Sequence, residues 1–83
     1  MNFDQIKTSR YLIGTRVSVA EGYPSYLLDK KATIVGYYQR WESDYSNYET
    51  DLILLFDEPI SGGFNEGTMA LVIQDAYNLD VIK

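Results

Sequence analysis

The carboxylates of this sequence fall in close pairs: Glu49 with Asp51, Asp57 with Glu58, Asp75 with Asp80. Paired carboxylates can hydrolyse glycosidic bonds or hold a divalent cation through oxygen ligands. Nothing else in the chain supports either use. There is no histidine and no cysteine. That removes the usual general base near neutral pH, the thiolate nucleophile, the zinc finger and every triad built on histidine. Metal could be held only by carboxylates and carbonyls, as calcium or magnesium would be. A chain of 83 residues has little volume for a ligand cleft. The acids are therefore read as strand terminators that guard an apolar strand from aggregation. The chain is read as non-enzymatic, with no catalytic residue, no metal and no cofactor.

The aromatic residues carry more information. Eight tyrosines and one tryptophan in so short a chain exceed what one small core can bury, so several must face solvent. Tyrosine and tryptophan offer large, rigid contact area and are favoured at interfaces. Charge is unevenly placed as well. Residues 1–40 sum to +3 and residues 41–83 to −8, for a net −5. An acidic second half steers a protein toward a basic partner and opposes sequence-independent nucleic-acid binding.

The elements that must position these groups are strands. Asp51-Leu52-Ile53-Leu54-Leu55-Phe56-Asp57-Glu58-Pro59 holds the longest apolar run. It is too short for a helix of that composition, and Pro59 lacks the amide to continue a ladder. The strand is drawn from Tyr48 to Asp57, with Tyr48, Thr50, Leu52, Leu54 and Phe56 on one face. Ile53 and Leu55 point the other way and need a cover: the N-terminal arm, the Leu27-Leu28 loop or another subunit, with Leu27 and Leu28 the first choice. Thr15–Val19 alternates and reads as a half-buried strand. Ala32–Trp41 is rich in β-branched and aromatic residues. Strict alternation there puts Ala32, Ile34, Gly36 and Tyr38 on one face and Thr33, Val35, Tyr37, Gln39 and Trp41 on the other. Gly36 in mid-strand signals a bend or bulge. Thr68–Ile73 and Leu79–Ile82 complete five strands. Asp75–Asn78 reads as a tight or 3₁₀ turn, and Asn2–Thr8 as a short helical turn or extended arm. Ile60–Gly67 is a glycine-rich turn that lacks the lysine of a phosphate loop. The expected core is Val17, Val19, Ile34, Leu52, Leu54, Phe56, Leu71, Ile73 and Leu79 or Val81. No apolar run reaches the roughly 20 residues that span a bilayer, and no signal peptide is visible at the start. The expectation is one domain, 1–83, in the cytoplasm.

The order of these pieces resembles SH3-like barrels. More narrowly, Gly14-Thr15-Arg16-Val17-Ser18-Val19, Ala32-Thr33-Ile34-Val35-Gly36 and Phe56-Asp57-Glu58-Pro59-Ile60 with Gly62-Gly63 resemble small barrel proteins of unknown function from phages and bacteria. Phe64 departs from a usual histidine, and Ala70-Leu71 from a frequent tryptophan. The resemblance implies an all-β, five-stranded SH3-like small barrel over residues 14–82 and a phage or mobile-element setting. It implies no activity.

Two functions follow as expectations. The first is a protein-binding module that contacts a basic protein surface through Tyr23, Tyr26, Trp41, Asp44, Tyr45, Asp57, Glu58 and Glu66. In a phage setting this would be an inhibitor of a host nucleic-acid-processing or defence protein, working in the host cytoplasm. The second is an oligomeric nucleotide binder or sponge, with Arg16, Lys30, Lys31 and Arg40 on phosphates, together with Arg10, and tyrosines stacked on bases. A nucleic-acid-contacting barrel of the KOW kind is a third option that the net charge disfavours. The chain would be a monomer or a small homo-oligomer.

Overall fold

The computed structural model describes residues 11–20, 24–74 and 79–82. The chain is all-β: β1 (Arg16–Val19), β2 (Lys31–Glu42), β3 (Asn47–Phe56), β4 (Ala70–Gln74) and β5 (Leu79–Val81), with a 3₁₀ turn at Ser25–Leu27. The strands form one antiparallel sheet in the order β4-β3-β2-β1-β5. Strand boundaries fall within two residues of those expected from alternation. The closed barrel is not reached: among the described residues no ladder joins β4 to β5, so the hydrogen-bonded sheet is open. Asn2–Thr8, Asp75–Asn78 and Tyr23 lie outside the described residues.

One side of the sheet is the core. Val17, Val19, Leu27, Ala32, Ile34, Leu52, Leu54, Phe56, Ile60, Ile73 and Leu79 are buried there, with Tyr11, Tyr26, Tyr37 and Leu71 packed against them. Leu79, and not Val81, is the residue that β5 buries. Ile60 was read as part of a turn. It is only 2% exposed, because Pro59 ends the strand and the chain folds back. The Ile60 amide donates to Thr68 O at 2.8 Å, and Gly67 N to Ile60 O at 2.8 Å. Beneath the same turn, Gly63 (φ +74°) lies on the Tyr26 ring, and a Cβ there would come within 2.4 Å of it.

The β2 faces differ from strict alternation. The register runs Ile34↔Leu54 and then Gly36↔Ile53, so Val35 is an extra residue in β2. An extra residue resets the two-residue period. Beyond it Tyr37, Gln39 and Trp41 fall on the core side, opposite Leu52, Thr50 and Tyr48. Tyr38 and Arg40 fall on the outer side. The glycine signal was correct, but the alternation carried through it was not. Tyr37 then reaches the Tyr11 carbonyl with its hydroxyl, and the Leu79 amide donates to the Tyr11 hydroxyl at 3.3 Å. Tyr11 thereby ties β2 to β5.

Leu27 and Leu28 do not cover the outer face. Leu27 is in the core, and Leu28 lines a cavity with Val19, Ala20, Asp29 and Asp80. Leu55 stays 42% exposed, beside exposed Val35 and Val72.

Candidate protein-binding surface

Position follows from strand length. β1 pairs with β2 only over Lys31–Thr33, and β4 pairs with β3 only over Asp51–Leu55. The rest of the β2–β3 hairpin, Gln39–Arg40-Trp41-Glu42 with Asn47-Tyr48-Glu49-Thr50, pairs only with itself among the described strands. It is an arm, closed by the turn Ser43-Asp44-Tyr45-Ser46. The molecule measures 39 Å along its longest axis and 20 Å along its shortest.

The arm has two chemically distinct faces. On the face continuous with the core, the Trp41 and Tyr48 rings meet edge to face, centroids 5.2 Å apart at 69°. The quadrupoles of two aromatic rings favour this geometry. Trp41 is 55% exposed and Tyr45, at the tip, 74%. Below them Gln39 Nε2 donates to Thr50 Oγ1 at 2.9 Å. The opposite face is charged. Arg40 donates from Nε to Asp51 Oδ2 at 3.1 Å and from NH1 to Glu42 Oε2 at 2.7 Å. Asp51 is buried, and its Oδ1 has no hydrogen-bond partner. Both carboxylates hold the Arg40 guanidinium more firmly protonated than usual, Asp51 first. With Glu42, Asp44 and Glu49 against Arg40 alone, the arm is acidic, and Asp51 at its base adds a further carboxylate.

The expected contact residues fall in three places. Trp41, Asp44 and Tyr45 come together on the arm. Asp57 and Glu58 lie at the end of β3, where Asp29, Lys30, Lys31, Phe56 and Pro59 join them around an open cavity of about 280 Å³. Glu66 is exposed in the glycine turn, and Tyr26 is half-buried beneath that turn. Among the four cations read as phosphate ligands, Arg40 is engaged on the arm as described. Arg16 is bound bidentately by Asp57, NH1 to Oδ1 at 2.6 Å and NH2 to Oδ2 at 2.5 Å, with Thr33 Oγ1 accepting from NH1 at 2.9 Å. Lys30 and Lys31 share the cavity rim, where a phosphate would also meet Asp29, Asp57 and Glu58.

Two aromatics of the hairpin lie outside the expected contact residues: Tyr48, whose ring meets Trp41 edge to face, and Tyr38, 54% exposed on the charged face. Tyr48 could have been found, since a four-residue turn places it opposite Trp41. Phe64, marked in the sequence only as a departure from a usual histidine, is 98% exposed. Among the described residues no cluster of three or more acidic side chains could hold a metal ion, and no helix is long and apolar enough to cross a membrane. The chain matches no protein-family model, no curated protein and no solved structure.

Proposed function

We propose that this chain is a non-enzymatic protein-binding module that docks through the β2–β3 arm onto a partner with a basic surface. The observation that carries the reading is the solvent-exposed Trp41–Tyr48 pair with Tyr45 beyond it, on an arm whose formal charge is acidic. Exposed rigid aromatics are what interface hot spots are made of, and the acids on the other face of the arm would speed encounter with a cationic surface. We read the fold as a small SH3-like barrel, supported by the strand order and by β5 returning to pair with β1. For a chain of phage or mobile-element origin, the partner is a nucleic-acid-processing or defence protein of the host, whose phosphate-binding groove the acidic arm would occupy.

The test is affinity capture with wild-type chain and with Trp41→Ala and Tyr45→Ala. A captured protein of basic surface should bind the wild type more weakly as salt rises, compete with DNA, and lose most of its affinity for either variant. Salt-independent binding, or binding untouched by both substitutions, would overturn the reading.

A further inference from the structure

The open cavity at the end of β3 carries charge of both signs. Asp29, Lys30 and Lys31 line it from the start of β2, and Phe56, Asp57, Glu58 and Pro59 from the end of β3. Backbone bonds fix both walls. Asp29 donates its amide to Val19 O at 2.9 Å, Val19 N donates to Lys30 O at 3.0 Å, and Lys30 N to Leu27 O at 3.2 Å. Asp57 N donates to Lys31 O at 3.0 Å and so joins the two walls. Asp29 is held at φ +64°, a left-handed backbone that residues other than glycine seldom adopt and that recurs at ligand sites.

The charges around this cavity do not satisfy one another. Arg16 takes both oxygens of Asp57. Asp29, Lys30, Lys31 and Glu58 are all exposed, and among the described residues none of them forms an ion pair, although they line one cavity. An anion such as phosphate would gain the lysines and meet Asp29 and Glu58. A simple cation would gain those acids and meet the lysines. Like charges set together cost what opposite charges return. A ligand that carries both signs on adjacent groups escapes this conflict. The rest of the lining, Phe56 and Pro59, is apolar. The volume of about 280 Å³ falls just below the roughly 300–1,000 Å³ of drug-sized sites, so the ligand is small.

We propose that this cavity binds a free α-amino acid with an aliphatic side chain. Its carboxylate meets Lys30 and Lys31, its ammonium meets Asp29 and Glu58, and its side chain lies against Phe56 and Pro59. Exposed ion pairs are weak, so affinity is millimolar. The site is at the end of β3 away from the arm, and it stands or falls separately from protein docking.

The probe is L-leucine, followed by amide chemical shifts. The Lys30, Lys31, Phe56, Asp57 and Glu58 amides should move together and saturate, while Trp41 and Tyr48 stay in place. Isocaproate, which lacks the ammonium, and leucinamide, which lacks the carboxylate, should each bind about tenfold more weakly, as loss of a charged hydrogen-bond partner does. Lys30→Gln and Glu58→Gln, both at exposed positions, should keep the sheet signal and weaken L-leucine by a similar factor. Glu58→Gln should bind isocaproate no more weakly than wild type does, since the carboxylate it removes opposes that anion. No saturable shift with L-leucine, equal binding of either single-charge compound, or displacement of L-leucine by inorganic phosphate at equal concentration would overturn the proposal.

Discussion

Arg16 and Asp57 stand 41 residues apart in sequence and meet in a two-pronged ion pair on the outer face, NH1 to Oδ1 at 2.6 Å and NH2 to Oδ2 at 2.5 Å. The pair holds the start of β1 to the end of β3 across β2. The Arg16 hydrogen bonds draw the Asp57 carboxyl below its ordinary range, and the charges of Arg16 and Lys31 add to that. The folded group therefore titrates below the unfolded one. Its contribution to stability is complete above the unfolded carboxylate range and disappears as pH falls through the folded value. Asp57→Asn should lower the urea midpoint at neutral pH. The gap to wild type should shrink in high salt, since both side chains are well exposed, and vanish in strong acid. Midpoints measured at three pH values check this.

Arg40 gives a larger effect for the same kind of bond. Its partner Asp51 is 8% exposed, against 45% for Asp57. Removing the cation leaves a buried carboxylate unpaired, which costs more than exposing a solvated one. Arg40→Met should lower the urea midpoint more than Arg16→Met, and Arg40→Lys should restore part of the loss.

The glycine turn separates backbone strain from collision. Gly67 has φ +86° with open space around it, while Gly63 has φ +74° with the Tyr26 ring 2.4 Å from any added Cβ. Gly67→Ala should cost about 1–2 kcal/mol, the ordinary left-handed penalty. Gly63→Ala should cost more, and Tyr26→Ala in its background should recover the steric part alone. Chemical denaturation of these three variants, with Tyr26→Ala alone as the fourth, decides it.

Neighbouring leucines of β3 should differ sharply. Leu54 is fully buried and Leu55 is 42% exposed. Leu54→Ala should cost about 2–5 kcal/mol, as large-to-small changes in a packed core do. Leu55→Ala should stay near about 0.5 kcal/mol. Thermal unfolding of both variants would show equal losses if the outer face were a second core.

Local pattern made most of this fold legible. Val17 and Val19, and Leu52, Leu54 and Phe56, alternate cleanly, and alternation alone puts each on the face it buries. Two kinds of feature were not legible. Gly36 announced a bulge without saying which neighbour was the extra residue, so Tyr37, Gln39 and Trp41 were assigned to the wrong side. A bulge is a property of the pairing and not of one strand. The ion partners of Arg16 and Arg40 were hidden for a related reason, since a register decides which distant acid stands opposite. Ile60 was missed because its burial depends on the chain returning over it at Thr68. On the candidate surface, Trp41, Asp44 and Tyr45 were brought together as expected of one loop, whereas Glu58 and Glu66 lie elsewhere on the molecule.

Trp41 is the sole tryptophan, and the sheet places it on the arm, outside the core. Its fluorescence will follow the arm, while the far-ultraviolet signal follows the five strands. Gln39 to Thr50 pair only within the hairpin, and such ribbons open with less free energy than the sheet that carries them. Unfolding watched by the two probes should give curves that do not coincide, the tryptophan signal changing first, so a two-state fit to fluorescence alone would understate the stability of the domain.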